Sequence, residues 1–222
     1  VEDPTADRTV TIPNATGQIV LRDTTDTLTN KTLTSPVINS PTGDFIKIEG
    51  TNFGDSLIVG HATTGTLNDA NRNVGVGIQS LDAIENGDDN TAVGYRALSS
   101  ITSGGTNTAI GNESMYSSST AMRNSALGYQ ALKIVTGNNN IAIGQQAGKN
   151  ITSGAGNVII GNVDAGSATG DRQLLISGYD GSTTTTWVSG DSSGNLTFAN
   201  NISVGGNATV TGNLTVNGTT TT

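Results

Sequence analysis

Several residue types are missing or scarce in this sequence, and each absence excludes a class of site. The 222 residues contain no cysteine, so a disulfide framework and a thiolate metal site are both excluded, while the redox compartment stays undecided. His61 is the single histidine, which excludes a histidine-based triad or a two-histidine metal site within one chain. Three copies of His61 could meet in a trimer as metal ligands, but a surface or packing role is favoured. We therefore expect no catalytic, cofactor-binding or metal-binding residues.

Basic and large apolar residues are also scarce. The 10 Lys and Arg are scattered singly against 18 Asp and Glu, a net charge of −8, so no basic patch indicates nucleic acid. No apolar run approaches the roughly 18 residues of a transmembrane helix, and we expect no membrane insertion. Three Phe, one Trp and four Tyr stand against 30 Gly, too few large side chains to fill a single compact core. Small residues instead suit a thin section in which each layer of backbone covers the next.

One short phrase, N-x-A-h-G with h apolar, returns through the middle of the chain. Its copies are spaced by 17 or 16 residues, and related glycines at Gly60 and Gly178 extend the array to eight near-copies. A fixed period of this kind predicts a solenoid, because one repeat cannot bury its apolar face without neighbours. The structural positions of the repeat are Asn73 and Gly77, Asn90 and Gly94, Asn107 and Gly111, Asn124 and Gly128, Asn140 and Gly144, and Asn157 and Gly161.

Each repeat is predicted to form one coil of strand, turn, short strand and turn. Alternation along the first strand places h on one face and Asn, Ala and Gly on the other, and stacking predicts apolar ladders and a hydrogen-bonded asparagine ladder. The small Ala and Gly side chains suggest that three chains meet along that face. Two further columns are predicted: an apolar one at Leu67, Ile84, Ile101, Ile134 and Ile151, and turn glycines with positive φ at Gly87, Gly104, Gly137 and Gly154.

The segments on either side of the array carry other patterns. Two short alternating runs, RTVTIP and GQIVLR, and an extended connector at Asp26–Pro41 predict an N-terminal β shaft. After the array, the segment around Trp187 predicts a hairpin, and a six-residue rhythm from Asn195 predicts a narrow β-helical shaft. The predicted domains are 1–53 (shaft and connector), 54–178 (repeat array), 179–194 (hairpin) and 195–222 (hexad shaft).

Three isolated features leave alternatives open. Trp187 suits a plug in the core of a β-rich trimer better than a platform for a sugar. The acidic loop Asp82–Asn90 is interpreted as a solvated turn rather than a calcium site, since it lacks the ligand pattern of a known calcium motif. Asp164 and Asp171 could supply the paired acids of a polysaccharide-cleaving site, but no aromatic groove residues accompany them.

Three segments resemble known families. ADRTVTIPNATGQIVL followed by DTLTNKTLTSPVI, at about Ala6 to Ile38, resembles a phrase of tail-fibre proteins of tailed bacteriophages, and GNATVTGNLTVNGTTT near the C-terminus is similar to tail-fibre segments too. This resemblance implies a shaft in which three identical chains wind together. The central repeat resembles the head repeats of trimeric autotransporter adhesins, which form a parallel β-roll with a period typically shorter than 17 residues.

These patterns and resemblances together predict an all-β, elongated homotrimeric fibre with a β-roll of about 17 residues per coil. The resemblance implies a non-enzymatic tail-fibre segment of the virion that presents receptor-binding surfaces. Its expected partners are two further copies, other virion tail proteins and a host cell-surface receptor, either a glycan or an outer-membrane protein. A bacterial trimeric surface adhesin is the alternative, and a polysaccharide-degrading tailspike is a third class. We expect the chain to be part of a longer polypeptide.

Overall fold

The computed structural model describes residues 46–50, 53–60, 64–213 and 215, with only the backbone described for 46–50. The predicted N-terminal strands, the connector at Asp26–Pro41 and His61 lie outside these residues. The described residues all belong to one compact unit, Ser40–Thr222. They are all-β, with eleven strands and no helix, and the strands join in chain order into a single sheet. The predicted all-β class is confirmed.

Eight parallel strands in register form the repeat array. Partner residues such as Val74 and Thr91 lie one coil apart, so the array is a β-solenoid of about seven turns. Antiparallel strands flank it, one before the array and two after it. The strands are β1 Ile46–Gly50, β2 Phe53–Val59, β3 Val74–Val76, β4 Thr91–Val93, β5 Thr108–Ile110, β6 Ser125–Leu127, β7 Ile141–Ile143, β8 Val158–Ile160, β9 Leu174–Tyr179, β10 Thr184–Gly190 and β11 Leu196–Phe198.

The hydrophobic core lies inside the coils of one chain. The central residue of each short strand points inward and is buried, as Ala92 and Ala109 illustrate, and it joins one cluster with the large side chains of the opposite wall. The hypothesis that three chains meet along the alanine face is therefore wrong, because the chain's own side chains already cover that face. The large buried side chains of the wall are Leu81, Leu98, Met115 and Leu132, and Ile84, Ile101, Val135 and Ile151.

The prediction is wrong for one member of the apolar column, Ile134. Ile134 is 39% exposed, whereas its neighbour Val135 is fully buried. Val135 follows Gly128 by seven residues, as Ile101 follows Gly94, so the position counted from the corner glycine decides which side chain enters the core.

Among the described residues, no coil contains the second strand that the sequence predicted. Arg96 and Leu98 have positive φ angles of 58° and 51°, and corresponding residues of neighbouring coils share this left-handed backbone. A strand needs extended φ and ψ, so this side of the coil is a chain of turns. Hydrogen bonds between coils nevertheless continue here, for example from Leu98 N–H to the Ser114 carbonyl at 3.1 Å.

The glycines before the asparagines serve a different purpose from the predicted one. Positive φ occurs instead at the residue that directly precedes each asparagine, such as Asp89 and Thr106, both at 60°. At Gly104, a Cβ atom would collide with the Ala121 carbonyl of the next coil. The glycine is therefore selected by close approach of backbones, not by its φ angle.

The predicted hairpin after the array is present. Strands β10 and β11 pair antiparallel around a turn in which Asp191 Oδ1 accepts the N–H groups of Ser193 at 2.9 Å and Asn195 at 3.0 Å. The strands predicted for the second and third hexads, within residues 201–213, are not formed in the single chain. Ile202 and Val204 there are 62% and 54% exposed, because a lone short strand has no partner for its backbone or its apolar face.

Candidate functional site

The six repeat asparagines form a continuous ladder inside the coils. The Asn90 side-chain oxygen accepts the backbone N–H of Asn107 at 3.2 Å and its side-chain N–H at 3.0 Å, while Asn90 Nδ2 donates to the Gly104 carbonyl at 2.9 Å. The other members repeat the pair of hydrogen bonds to the side-chain oxygen, and all six are buried. Because these polar groups bond within the chain, the ladder stabilises the stack of coils and offers no ligand site. Its members are Asn73, Asn90, Asn107, Asn124, Asn140 and Asn157.

The ladder has two end members that the N-x-A-h-G phrase does not contain. Ser56 Oγ accepts the N–H of Asn73 at 2.8 Å, and the side-chain oxygen of Asn157 accepts from Gln173 N at 2.8 Å and from its Nε2 at 3.1 Å. A step of 17 residues back from Asn73 reaches Ser56, and a step of 16 residues on from Asn157 reaches Gln173. Ser56 and Gln173 therefore provide the hydrogen-bond partners that Asn73 and Asn157 need at the two ends of the ladder.

The six repeat glycines form the corner that follows each strand. Gly94 has φ of 133°, and a Cβ atom there would lie 2.5 Å from the Gly111 carbonyl oxygen of the next coil. Both the backbone angle and the close stacking therefore require glycine. The column consists of Gly77, Gly94, Gly111, Gly128, Gly144 and Gly161, with φ from 109° to 139°.

An uncharged apolar column runs along the outer face of the sheet from β2 to β11. Its residues are register partners from β2 to β11 and all are at least partly exposed, Leu127 reaching 48%. Exposed apolar patches of this continuity mark interaction surfaces. We call this column the outer strip; it comprises Val59, Val76, Val93, Ile110, Leu127, Ile143, Ile160, Ile176, Val188 and Phe198.

A second exposed column, on the turn side, is polar and internally bonded. The Arg96 guanidinium donates to Gln79 Oε1 at 2.7 Å and lies 5.3 Å from the Tyr95 ring centroid and 5.5 Å from that of Tyr116. In the coils above, Glu113 accepts from Lys133 at 2.8 Å and from Gln130 at 2.7 Å. These contacts join successive coils, and the hydrogen bond from Lys133 is the main cause that lowers the pKa of Glu113.

Asp88 and Asp89 bond to the preceding coil. Asp88 Oδ1 accepts the N–H of Asn71 at 2.7 Å, and Asp89 receives a two-pronged hydrogen bond from Arg72 at 2.6 and 2.9 Å. The Arg72 hydrogen bond lowers the pKa of Asp89. Among the described residues, no group of three or more acidic or histidine side chains is placed to hold a metal ion. Asp171, one of the two acids considered for a polysaccharide-cleaving site, accepts the N–H of Ala155 at 2.8 Å.

Trp187 lies on the antiparallel extension of the solenoid and is 53% exposed, so it is not part of the core of its own chain. An open cleft of about 330 Å³ lies beside its indole ring. The cleft is lined by Gly178, Tyr179, Asp180, Thr183, Thr185 and Trp187. Nothing in the repeat pattern predicts this cleft, because it lies where the period ends.

Comparisons of the chain with protein-family models, with curated proteins and with solved structures gave no match. Over the residues described above, no helical segment has the length and apolarity that a membrane crossing requires. The outer strip and the Trp187 cleft are thus the two surfaces on which a functional interpretation rests.

Proposed function

We propose that this chain is a structural segment of a homotrimeric fibre in which the outer strips of three copies pack together. The observation that carries the proposal is the outer strip itself, an apolar column that one chain leaves partly in water. Covering a half-exposed aliphatic side chain contributes on the order of 1 kcal/mol at roughly 25 cal/mol per Å². Summed along ten strands, this is a substantial drive for association.

The regular rise of the strip favours a second copy of the chain as its partner. Strands stack at about 4.8 Å, so a partner must present apolar side chains at the same spacing to interdigitate along the full length. Another copy of the chain meets this condition, because it carries the same apolar residues at the same spacing. That three copies associate, rather than two, is taken from the resemblance of the flanking phrases to tail-fibre shafts.

A phage tail fibre is the biological role that the sequence phrases favour. In such a fibre, which is part of the virion, the segment joins other tail proteins and carries contacts to a host receptor, a glycan or an outer-membrane protein. Three chains present each contact three times, so weak individual contacts gain from effective concentration. The segment acts mechanically, without a catalytic step.

A bacterial trimeric surface adhesin is the alternative, favoured by the N-x-A-h-G phrase. The genes beside the full-length gene distinguish the two roles, since flanking tail and baseplate genes would contradict the adhesin. A tailspike enzyme is tested by incubating the purified protein with host-surface polysaccharide, where shortening of the glycan would contradict the non-enzymatic proposal.

Sedimentation analysis of the purified chain tests the assembly. We expect a particle of three times the 22.4 kDa chain mass. Leu127→Asp places a charge in the middle of the outer strip and should dissociate the particle, because an unpaired charge would be buried between chains. Ser153→Asp adds the same charge at an exposed position outside the strip and should leave the particle intact.

A stable wild-type monomer would contradict the proposal, as would a Leu127→Asp protein that remains trimeric. Circular dichroism of both variants checks that the β fold persists. Since Leu127 points out of the coil, the solenoid of the single chain should survive its replacement.

A further inference from the structure

Trp187 lies at a β-bulge that sets its position. Thr186 pairs with Ser177 and Val188 pairs with the next residue, Ile176, so Trp187 is an extra residue on β10 without a partner on β9. Bulges change the direction of a side chain and are frequent beside functional sites. Here the indole lies over Gly178, where an added Cβ atom would be 2.5 Å from Trp187 Cζ2. The absence of a side chain at Gly178 therefore leaves the room that the ring occupies.

The cleft beside the indole combines aromatic walls with polar groups. Trp187 and Tyr179 are each about half exposed, and the volume of about 330 Å³ falls at the lower end of small-molecule sites. The hydroxyl of Tyr179 donates to the Gly181 carbonyl at 2.8 Å, which holds that ring against the turn. Thr183 and Thr185 also line the cleft, and each carries a hydroxyl group.

Asp180 supplies a fixed acceptor at the rim of the cleft. Its Oδ1 accepts the N–H groups of Ser182 and Thr183, both at 2.8 Å. The hydrogen bond from Thr183, followed by that from Ser182, lowers the pKa of Asp180, so the carboxylate is ionised at neutral pH. Among the described residues, no hydrogen bond to Asp180 Oδ2 is found, which leaves that oxygen for a ligand hydroxyl. An ionised carboxylate on a chain of net charge −8 disfavours anionic ligands.

We propose that the cleft beside Trp187 binds one neutral pyranose ring of a glycan. The apolar C–H face of the sugar would lie on the indole, and its hydroxyl groups would donate to Asp180 and exchange hydrogen bonds with Thr183 and Thr185. An amphipathic aromatic surface beside hydroxyl-binding groups suits a ring with one apolar face and a polar edge. No covalent step is involved.

The cleft is formed by a single chain, so this inference does not require the trimer. It rests on the proposed function in one respect: it names a neutral glycan as the receptor group that the fibre binds. Sedimentation tests the trimer and ligand titration tests the cleft, so the failure of one is distinguishable from the failure of the other.

Fluorescence provides a specific test, because Trp187 is the only tryptophan in the 222 residues. Iodide should quench the emission of the full, assembled chain, and saturating amounts of a methyl hexopyranoside should reduce that quenching. A dissociation constant on the order of 1 mM is expected for a single ring, and a panel of methyl glucoside, galactoside, mannoside and N-acetylglucosaminide distinguishes the sugars. Glucuronate, which is anionic, should bind at least tenfold more weakly than the best neutral sugar.

Saturation-transfer NMR on the sugar protons extends the test to variants. Trp187→Ala should abolish the transfer, and Gly178→Ala should weaken binding at least tenfold by displacing the ring. Asp180→Asn keeps an oxygen for the turn and should weaken binding severalfold. Tyr129→Ala removes an exposed aromatic residue of the solenoid and should bind as the wild type does.

Three results would overturn the inference. One is emission that iodide cannot quench in the assembled protein, which would mean that another copy covers Trp187. The second is unchanged quenching with every neutral sugar at concentrations far above the expected constant. The third is sugar binding that Trp187→Ala leaves intact, which would place the site elsewhere.

Discussion

The side-chain oxygen of Asn90 receives both hydrogen bonds that the next coil directs toward it, one from the Asn107 backbone at 3.2 Å and one from the Asn107 side chain at 3.0 Å. A carboxamide can do this while its own Nδ2 donates elsewhere, since it carries an acceptor and two donor hydrogens. A carboxylate lacks the donor hydrogens, and an aliphatic side chain lacks both the acceptor and the donors. The repeat therefore requires asparagine at this buried position.

Replacement of a central ladder residue should destabilise the protein strongly. Asn107→Ala leaves the buried Ala121 carbonyl and the buried Asn124 N–H without their ladder partners, at a cost of about 1–3 kcal/mol each. It also removes one of the two hydrogen bonds to Asn90 Oδ1. We expect a loss of at least about 3 kcal/mol by urea denaturation at fixed protein concentration. Asn112→Ala, at an exposed position of the next turn, is the control and should change stability little. Equal stability of the two variants would refute the role of the ladder.

Substitution of a corner glycine should be more damaging still. Gly94→Ala would force a Cβ atom into the Gly111 carbonyl of the next coil, at an unfavourable φ of 133°. A folded protein would have to separate the two coils, so we expect a fall in melting temperature of more than about 10 °C, equivalent to several kcal/mol. Gly212→Ala has open space around the added atom and should melt as the wild type does. A thermal scan by circular dichroism compares them.

Ser118 occupies a core position that isoleucine or valine fills in neighbouring coils. Its side chain is fully buried, and its Oγ has no hydrogen-bond partner among the described residues. An unpaired buried hydroxyl costs about 1–3 kcal/mol, so Ser118→Val should stabilise the protein by about 1 kcal/mol. Ser117→Val, at the exposed neighbouring position, should give no such gain. A Ser118→Val protein less stable than the wild type would show that the site is too small for valine.

The ion pair between Lys133 and Glu113 predicts a pH dependence. Because the folded-state pKa of Glu113 is lowered, its stabilising contribution is present above the unfolded pKa of about 4.3 and is lost as pH falls through the folded value. The stability difference between wild type and Glu113→Gln should be below about 1 kcal/mol at neutral pH and should shrink on acidification.

Urea denaturation from about pH 6 down to about pH 3 measures this difference. Lys133→Met removes the main partner of Glu113 and should reduce the same pH dependence, while the hydrogen bond from Gln130 keeps the remainder. A stability difference that grows as pH falls would contradict the expected loss of the ion pair on acidification.

Much of the solenoid was predictable, because successive coils share one residue pattern and the same position has the same environment in each coil. The period, the inward alanines such as Ala92 and the stacked asparagines all follow from side-chain alternation and in-register stacking. The second strand of the coil was predicted wrongly, because single residues such as Leu98 adopt left-handed φ that their identities disfavour. Packing of the large side chain into the core stabilises that backbone, and residue preference alone does not indicate it.

The sequence by itself determined the all-β class, the period near 17 residues and the stacking of the repeat asparagines and corner glycines in columns, because a repeated chemical pattern can stack in few ways. Only the tertiary structure decided that the alanine face belongs to one chain's interior and that the apolar partner residues continue as an outer strip from Val59 to Phe198. It also decided that a bulge places Trp187 over Gly178. These features depend on which surfaces the coil itself covers and on strand register beyond the repeat, and neither is encoded in local alternation.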